Sequence, residues 1–285
     1  MIPVGFDYVR AGSVDEAVSA LGRGGEDAKV LSGGQSLIPV LRLRLSAPTV
    51  LVDVSRVDAM RGVRRDGDRL VIGAATTHHD VMTDPLVRQH APLLAQAVGT
   101  VADPAVRHRG TFGGALSHAD PAGDLGAVAL ALECELTLAG PSGARTVAAR
   151  DFFVDFLETA LLPGEILTEV AVPVLGDGWG FHYEKFNRVA QAWSLVAVAA
   201  AVHRSNGTID QARVGLTNMG PTPLRAGAVE AALAGADATA QAIRSAAGQA
   251  AEGTSPNDDL NARADYREHL ARVLTARAVS TAAHL

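Results

Sequence analysis

Apolar residues along this chain come in short runs broken by glycine and polar turns, and the spacing inside each run predicts an element. Ser13-Val-Asp-Glu16 has capping-box form and precedes Ala17, Val18 and Leu21, so a helix starts there and ends at Gly24-Gly25. Ala28 to Leu31 is a short apolar strand. Leu37, Ile38, Val40, Leu41 and Leu45 predict a helix over 36–45, and the β-branched run from Thr49 to Val54 predicts a buried strand. Helix, strand, glycine turn, helix and strand describe a small α/β unit.

Arg69 to Ala74 reads as another strand, Thr77-His-His-Asp80 as the cap of a following helix, and Leu93 to Val101 as helical. Asp124 to Leu132 is a strongly apolar helix. Strands recur at 135–139, 145–148 and 166–172, with turns such as Gly140-Pro-Ser-Gly143 between them, which predicts a mixed sheet with helices on one side. The composition shifts at Gly176-Asp-Gly-Trp-Gly180, a candidate boundary. Beyond it, 194–203 and 212–217 have strand character, the chain from Leu224 is alanine-rich and helical, and 253–260 is a long loop. Tyr266, Leu270, Val273 and Leu274 follow i, i+4, i+7, i+8 spacing and predict one buried face on the last helix.

The 285 residues suffice for two or three subdomains with a substantial core. A net charge of −6 without a Lys/Arg cluster speaks against a nucleic-acid partner. No run of about 18 apolar residues is free of charge or turn signals, so no transmembrane helix is expected. The N-terminus lacks a basic and an apolar signal region, which makes the cytoplasm the expected location. The single cysteine, Cys134, excludes an internal disulfide, a Cys-ligated iron–sulfur cluster and a zinc ribbon, and reads as a buried thiol in a strand. The nine histidines show no metal-ligand spacing, so no metal site is read; His78 and His79, if on a strand, face opposite sides. Met60, Met82 and Met219 read as packing.

Two glycine-rich segments carry the candidate chemistry: Leu31-Ser-Gly-Gly-Gln-Ser-Leu37 and Arg109-Gly-Thr-Phe-Gly-Gly-Ala115. Glycine lets a turn take positive φ and lets a ligand approach the backbone, and successive free N–H groups form an anion-binding concavity. In the first loop Ser32, Gly33, Gly34, Gln35 and Ser36 suit a diphosphate; the alternative is a plain strand-to-helix turn. It is neither a G-x-G-x-x-G nor a P-loop sequence. In the second, Thr111, Gly113 and Gly114 offer donors to phosphate or ribose. Asp124 opens an apolar helix, as an N-cap or as an acceptor for ribose hydroxyls. Arg107 and Arg109 suit phosphate or a subunit salt bridge, and Asp103-Pro104 and Asp120-Pro121 are turns.

The chain resembles the FAD-binding medium subunits of the molybdenum hydroxylases, the group that holds aerobic carbon monoxide dehydrogenase and the xanthine dehydrogenase flavin domain. The first loop is similar to that family's Ala-Gly-Gly-His/Gln-Ser-Leu-Leu/Ile-Pro motif, with Ser32 in place of alanine. Asp103, Pro104, Val106, Arg107, Gly110, Thr111, Gly113 and Gly114 match its second motif, and Asp120, Pro121, Asp124 and Leu125 the Asp-Pro-x-x-Asp-Leu/Met motif that follows. Met1-Ile-Pro, Phe6-Asp-Tyr8, Gly164-Glu-Ile-Leu167, Gly215-Leu-Thr-Asn218 and Ala264-Asp-Tyr-Arg267 extend the likeness over nearly the whole chain.

The resemblance implies an α+β fold: a two-part FAD-binding domain of the vanillyl-alcohol-oxidase (PCMH) type over 1–57 and 58–176, then a C-terminal domain over 177–285 of a small antiparallel sheet plus helices. It implies FAD as cofactor, held by Lys29, Leu31, Ser32, Gly33, Gly34, Gln35, Ser36, Leu37, Thr111, Phe112, Gly113, Gly114, Ala115, Asp124, Ile166 and Lys185. Residues 32–36 and 111–115 would wrap the pyrophosphate, Asp124 would bind ribose, and Ile166 would lie against the isoalloxazine. Lys185 would sit by the ring, where a positive charge raises its potential; otherwise it forms a surface ion pair with Glu184. Many relatives carry Asp before the aromatic residue at Trp193, whereas this chain has Ala192, and Trp193 reads as core or interface.

The implied activity is that of an oxidoreductase subunit without catalytic acid–base residues of its own. Substrate would react at a molybdenum centre on a large subunit, and electrons would pass two [2Fe–2S] clusters on a small subunit to FAD here and then to a quinone or other external acceptor. A dimer of heterotrimers, held at the inner face of the membrane through its partners, is the implied assembly. Carbon monoxide is the leading substrate, against N-heterocycles and aldehydes. A self-sufficient FAD oxidoreductase and a non-catalytic flavin-binding assembly protein are the alternatives.

Overall fold

The computed structural model describes residues 2–285. The chain opens with β1 (Asp7–Arg10), α1 (Val14–Gly24), β2 (Ala28–Leu31), α2 (Leu37–Arg42) and β3 (Val50–Asp53). β3 lies between β1 and β2, parallel to both, so α1 and α2 serve as the crossovers that parallel strands need. Ser13 caps α1 as its sequence predicts, with Oγ accepting from Glu16 N–H at 3.1 Å. α2 is shorter than the apolar pattern suggests. Arg44 turns left-handed at φ 59° and ends it, which leaves Leu43 and Leu45 exposed.

The second unit runs β4 (Val63–Asp66), β5 (Arg69–Gly73), α3 (His78–Thr83), α4 (Pro85–His90), α5 (Pro92–Gly99), α6 (Pro104–Arg107), α7 (Phe112–His118), α8 (Asp124–Ala131), β6 (Glu135–Gly140), β7 (Gly143–Ala148), α9 (Ala149–Phe152), β8 (Phe153–Asp155), β9 (Glu158–Thr159) and β10 (Ile166–Pro173). α4, α5 and α6 each begin on a proline, whose missing N–H costs nothing at that position. The sheet order is β4-β5-β10-β6-β7, and every pairing is antiparallel. The expected mixed sheet is therefore corrected: β5 and β6 run the same way, but β10 returns between them. His78 and His79 lie on α3 rather than on a strand.

The third unit is β11 (Trp179–Phe186), β12 (Val196–Ser205), β13 (Thr208–Thr217), β14 (Leu224–Arg225), α10 (Gly227–Leu233), β15 (Ala236–Asp237), α11 (Ala240–Ala247) and α12 (Ala264–Ala282). Its antiparallel sheet runs β11-β12-β13-β14, with β15 also on β13. All of Val196 to Val202 is buried, because β12 is covered on both faces. Ala197, Ala199 and Ala201 pack into the core shared with the first two units, while Val196, Val198, Ala200 and Val202 pack into the core under α12. On β13, a Cβ at Gly215 would overlap the Ala127 carbonyl, so the glycine lets α8 lie directly on this sheet. The fold is α+β, and α8 joins its two halves.

The buried stripe on α12 differs from the predicted one. Tyr266 is 45 % exposed, and its neighbour Arg267 is 2 % exposed instead. The guanidinium tolerates burial because Leu195 O, Asn257 O and the Asp259 carboxylate all accept from it.

Candidate functional site

The two glycine segments meet. Ser32 Oγ lies 3.0 Å from Thr111 Oγ1, and a Cβ on Gly33 would strike the Arg109 carbonyl. Glycine at 33 is thus required by the contact of one loop with the other.

Their backbone donors are used differently. In the first loop the N–H groups of Gly33, Gly34, Gln35, Ser36 and Leu37 find no acceptor among the described residues. Gly34 takes φ 73°, which curls the segment, and the Ser36 side chain makes no capping bond. The result is a concave row of unspent donors. In the second loop the donors are spent. Phe112 N–H donates to Thr76 O at 3.0 Å, Gly113 N–H to Ala74 O at 2.9 Å, Gly114 N–H to Thr111 Oγ1 at 3.2 Å and Ala115 N–H to Thr111 O at 3.0 Å. A Cβ on Gly113 would overlap Ala74, so this glycine seats α7 against the end of β5. The second loop is the wall behind the first, and Thr111 presents its hydroxyl at the seam.

The Phe112 side chain is 1 % exposed and the Ile166 side chain 2 %, both packed within the core. Lys29 is exposed on β2, Leu31 ends that strand, Leu37 begins α2, and Ala115 lies half-buried on α7.

Asp124 is not an N-cap: Gly123 holds that position, and no side chain caps α8. Its carboxylate, 4 % exposed, accepts on Oδ1 from Tyr183 Oη and Ser194 Oγ, each at 2.7 Å, and on Oδ2 from Lys185 Nζ at 2.8 Å. Lys185 also donates to Thr100 O at 3.1 Å, and its side chain is 6 % exposed. The alternative reading of a surface pair with Glu184 does not hold; Glu184 faces His182 and Arg277 instead. Burial, then the Asp124 charge, push the Tyr183 phenol well above its ordinary range, so it stays a donor. Tyr183 and Ser194 were missed in the sequence. They stand on β11 and just before β12, and only the fold brings them to α8.

The remaining motif residues hold the backbone. Asp103 caps α6 through Val106 N–H at 2.8 Å, and Arg107 donates to Val101 O at 2.7 Å, next to the left-handed Ala102. Trp193 is 55 % exposed, which removes it from the core. It borders a cavity of about 600 Å³ together with Phe156, Arg188 and Asn218.

Comparison with known proteins follows the two halves of this fold. Residues 4–175 match the FAD binding domain in molybdopterin dehydrogenase, and residues 181–282 the CO dehydrogenase flavoprotein C-terminal domain. The carbon monoxide dehydrogenase medium chain of Hydrogenophaga pseudoflava is 40 % identical over 99 % of this chain and 98 % of its own. The 6-hydroxypseudooxynicotine dehydrogenase complex subunit alpha of Paenarthrobacter nicotinovorans is 35 % identical over 100 % and 96 %. A solved structure of carbon monoxide dehydrogenase from Hydrogenophaga pseudoflava, lacking the Mo-pyranopterin moiety of its molybdenum cofactor, superposes with a TM-score of 0.97. It is 42 % identical, with 99 % of this chain and 98 % of that chain covered.

Proposed function

This chain belongs to the family of FAD-binding domains of the molybdopterin dehydrogenases, and we propose that it is the electron-transfer subunit of a carbon monoxide dehydrogenase-like molybdenum hydroxylase. Its cofactor is FAD and its class is that of an oxidoreductase subunit. The observation that supports the reading best is the row of unspent amides from Gly33 to Leu37, closed from behind by Thr111. A diphosphate needs several converging donors, and this row supplies them without side-chain charge.

When bound, FAD accepts electrons singly and releases them in pairs. The protein's part is to bind and orient. Residues 32–37 hold the diphosphate, and Thr111 donates its hydroxyl from the seam. A carboxylate has about four acceptor positions. Asp124 uses three, which leaves one on Oδ2 for a ribose hydroxyl. Tyr183, Ser194 and Lys185 fix the direction in which that position points. The reading extends to a two-part flavin domain of the PCMH type.

The chain depends on partners for the rest. Cys134 is buried and its thiol is pushed up to about 12 by burial, so it is no ligand for an iron–sulfur cluster. The clusters belong to a small [2Fe–2S] subunit and the substrate chemistry to a large molybdenum subunit, in a dimer of heterotrimers. Val154, Phe156, Leu157 and Leu162 are 46–59 % exposed around the β8–β9 hairpin, an apolar surface suited to such a partner. A quinone is the proposed acceptor, and the cytoplasm, at the inner face of the membrane, the proposed place. Among the described residues no helix is long and apolar enough to cross a membrane.

Native purification through a tag on this chain tests the reading. FAD with molybdenum, iron and two further chains, and reduction by carbon monoxide, is the expected result. FAD alone with turnover of an organic substrate would establish a self-sufficient oxidoreductase instead.

A further inference from the structure

The three donors to Asp124 are not held alike. Tyr183 and Lys185 stand on β11, where pairing with Ala199 and Ala197 of β12 fixes them. Ser194 lies between these two strands, at the end of a segment in which residues 188–191 and 193 are exposed. Its place therefore depends on contacts from outside that ladder.

Asn218 supplies them. Its Nδ2 donates to Ser194 O at 2.8 Å and to Leu195 O at 3.2 Å. Its own backbone N–H donates to Pro121 O at 2.8 Å, in the segment that leads into Asp124. One residue thus grips both the donor Ser194 and the approach to α8. Arg267 supports the grip from α12 by donating to Leu195 O. Asn218 directly follows β13 and takes φ 62°. Asparagine is among the few non-glycine residues that visit this region, and its amide carries two N–H donors. Glycine would meet the backbone need alone, and an ionised aspartate could accept but not donate. The residue type answers both demands at once.

We propose that Asn218 is a positioning residue of the cofactor site: by clamping the 194–195 backbone to the segment before α8, it keeps the Ser194 hydroxyl on Asp124 and so sets the direction of the acceptor position that Asp124 has left. Ser194 Oγ donates to Oδ1 at 2.7 Å. Releasing its backbone would withdraw that hydroxyl, open a second acceptor position on Oδ1, and leave Tyr183 and Lys185 alone to aim the carboxylate. Binding groups lose effect once they stray by about 0.5 Å from the productive geometry. Asn218 acts through Ser194, and the inference rests on the reading of Asp124 as the acceptor for a cofactor hydroxyl.

The test is a double-mutant cycle read in FAD affinity. FAD is removed from the natively purified protein, with the chains that accompany it, and titrated back into wild type, Asn218→Gly, Ser194→Ala and the double variant. Asn218→Gly keeps the left-handed backbone and removes only the amide; it should weaken FAD about fivefold or more. In the Ser194→Ala background the same change should add little, because the hydroxyl it positions is already gone. Asn218→Asp, similar in size but without the N–H donors, should behave like Asn218→Gly. Asn206→Gly, at a left-handed asparagine in the turn between β12 and β13, is the control and should bind FAD like wild type. A lower melting temperature at wild-type FAD affinity in Asn218→Gly, or a loss that adds fully to that of Ser194→Ala, overturns the proposal while the flavin reading stands. A wild-type protein that takes up no FAD overturns the flavin reading, and this inference with it.

Discussion

Lys185 Nζ lies 2.8 Å from Asp124 Oδ2, and this buried pair ties β11 of the C-terminal sheet to the first residue of α8. Removing one partner strands the other charge. Lys185→Met is therefore expected to destabilise the fold by about 3–5 kcal/mol, and Asp124→Asn/Lys185→Met to recover much of the loss. Tyr183→Phe and Ser194→Ala each remove one hydrogen bond to Oδ1 and should cost about 1–3 kcal/mol, not additively. Urea unfolding reads all four; a loss below about 1 kcal/mol for Lys185→Met would show that the pair contributes little.

The glycines of the loop seam differ from those in open space. Gly33→Ala places a methyl on the Arg109 carbonyl and should force the loops apart, with loss of bound flavin. Gly22→Ala meets nothing within 4 Å on α1 and should stabilise by about 0.5–1 kcal/mol. Flavin absorbance per chain and melting temperature check the pair. Full flavin content in the Gly33 variant would mean that the seam is not part of the site.

His78 is buried at the start of α3, its Nδ1 has no partner, and burial, with Arg107 adding to it, lowers its pKa to about 4. The unfolded chain takes up this proton first on acidification, because its histidine titrates near the ordinary value. The stabilisation is complete above about pH 6.5 and is lost as pH falls toward 4, roughly 3 kcal/mol over that window. His78→Gln should flatten the melting temperature between pH 6.5 and 4.5 relative to wild type. Parallel curves for the two proteins would refute the assignment.

Arg267 is the one cation among the fully buried side chains of α12. Arg267→Met leaves Asn257 O without its donor, Leu195 O with Asn218 Nδ2 alone and Asp259 without its cation, and should cost about 3 kcal/mol or more. Lysine should not rescue it, since a single ammonium cannot reach three acceptors that lie around a planar fork. Thermal melts of both variants decide this; a lysine variant as stable as wild type would count against the geometry.

Local chemistry was legible in this sequence wherever neighbours in the chain decide the outcome. The Ser13 capping box, the run Thr49 to Val54 and the apolar helix from Asp124 all appear where their patterns place them. The first loop was legible too, because its glycines and its following helix are contiguous. What was hidden depends on residues far apart. Phe112 and Ile166 lie within motif segments, and only the packing of distant elements shows how deeply their side chains are buried. Tyr266 has the right spacing for burial, yet Arg267 takes the place because acceptors from 195, 257 and 259 surround it. The donors to Asp124 lie 59, 61 and 70 residues downstream, a distance no periodicity records.

That last separation orders events during synthesis. A ribosome adds roughly 5–20 residues per second. Asp124 therefore leaves the peptidyl-transferase centre several seconds before Ser194, 70 residues later, is added. A nascent chain that ends at α8 exposes a carboxylate with neither its cation nor its hydroxyl donors. Its charge is matched only when the strands after residue 179 arrive, so the site is completed by the last third of the chain to be translated. Truncated chains released early would carry both glycine loops and still lack the acid's partners.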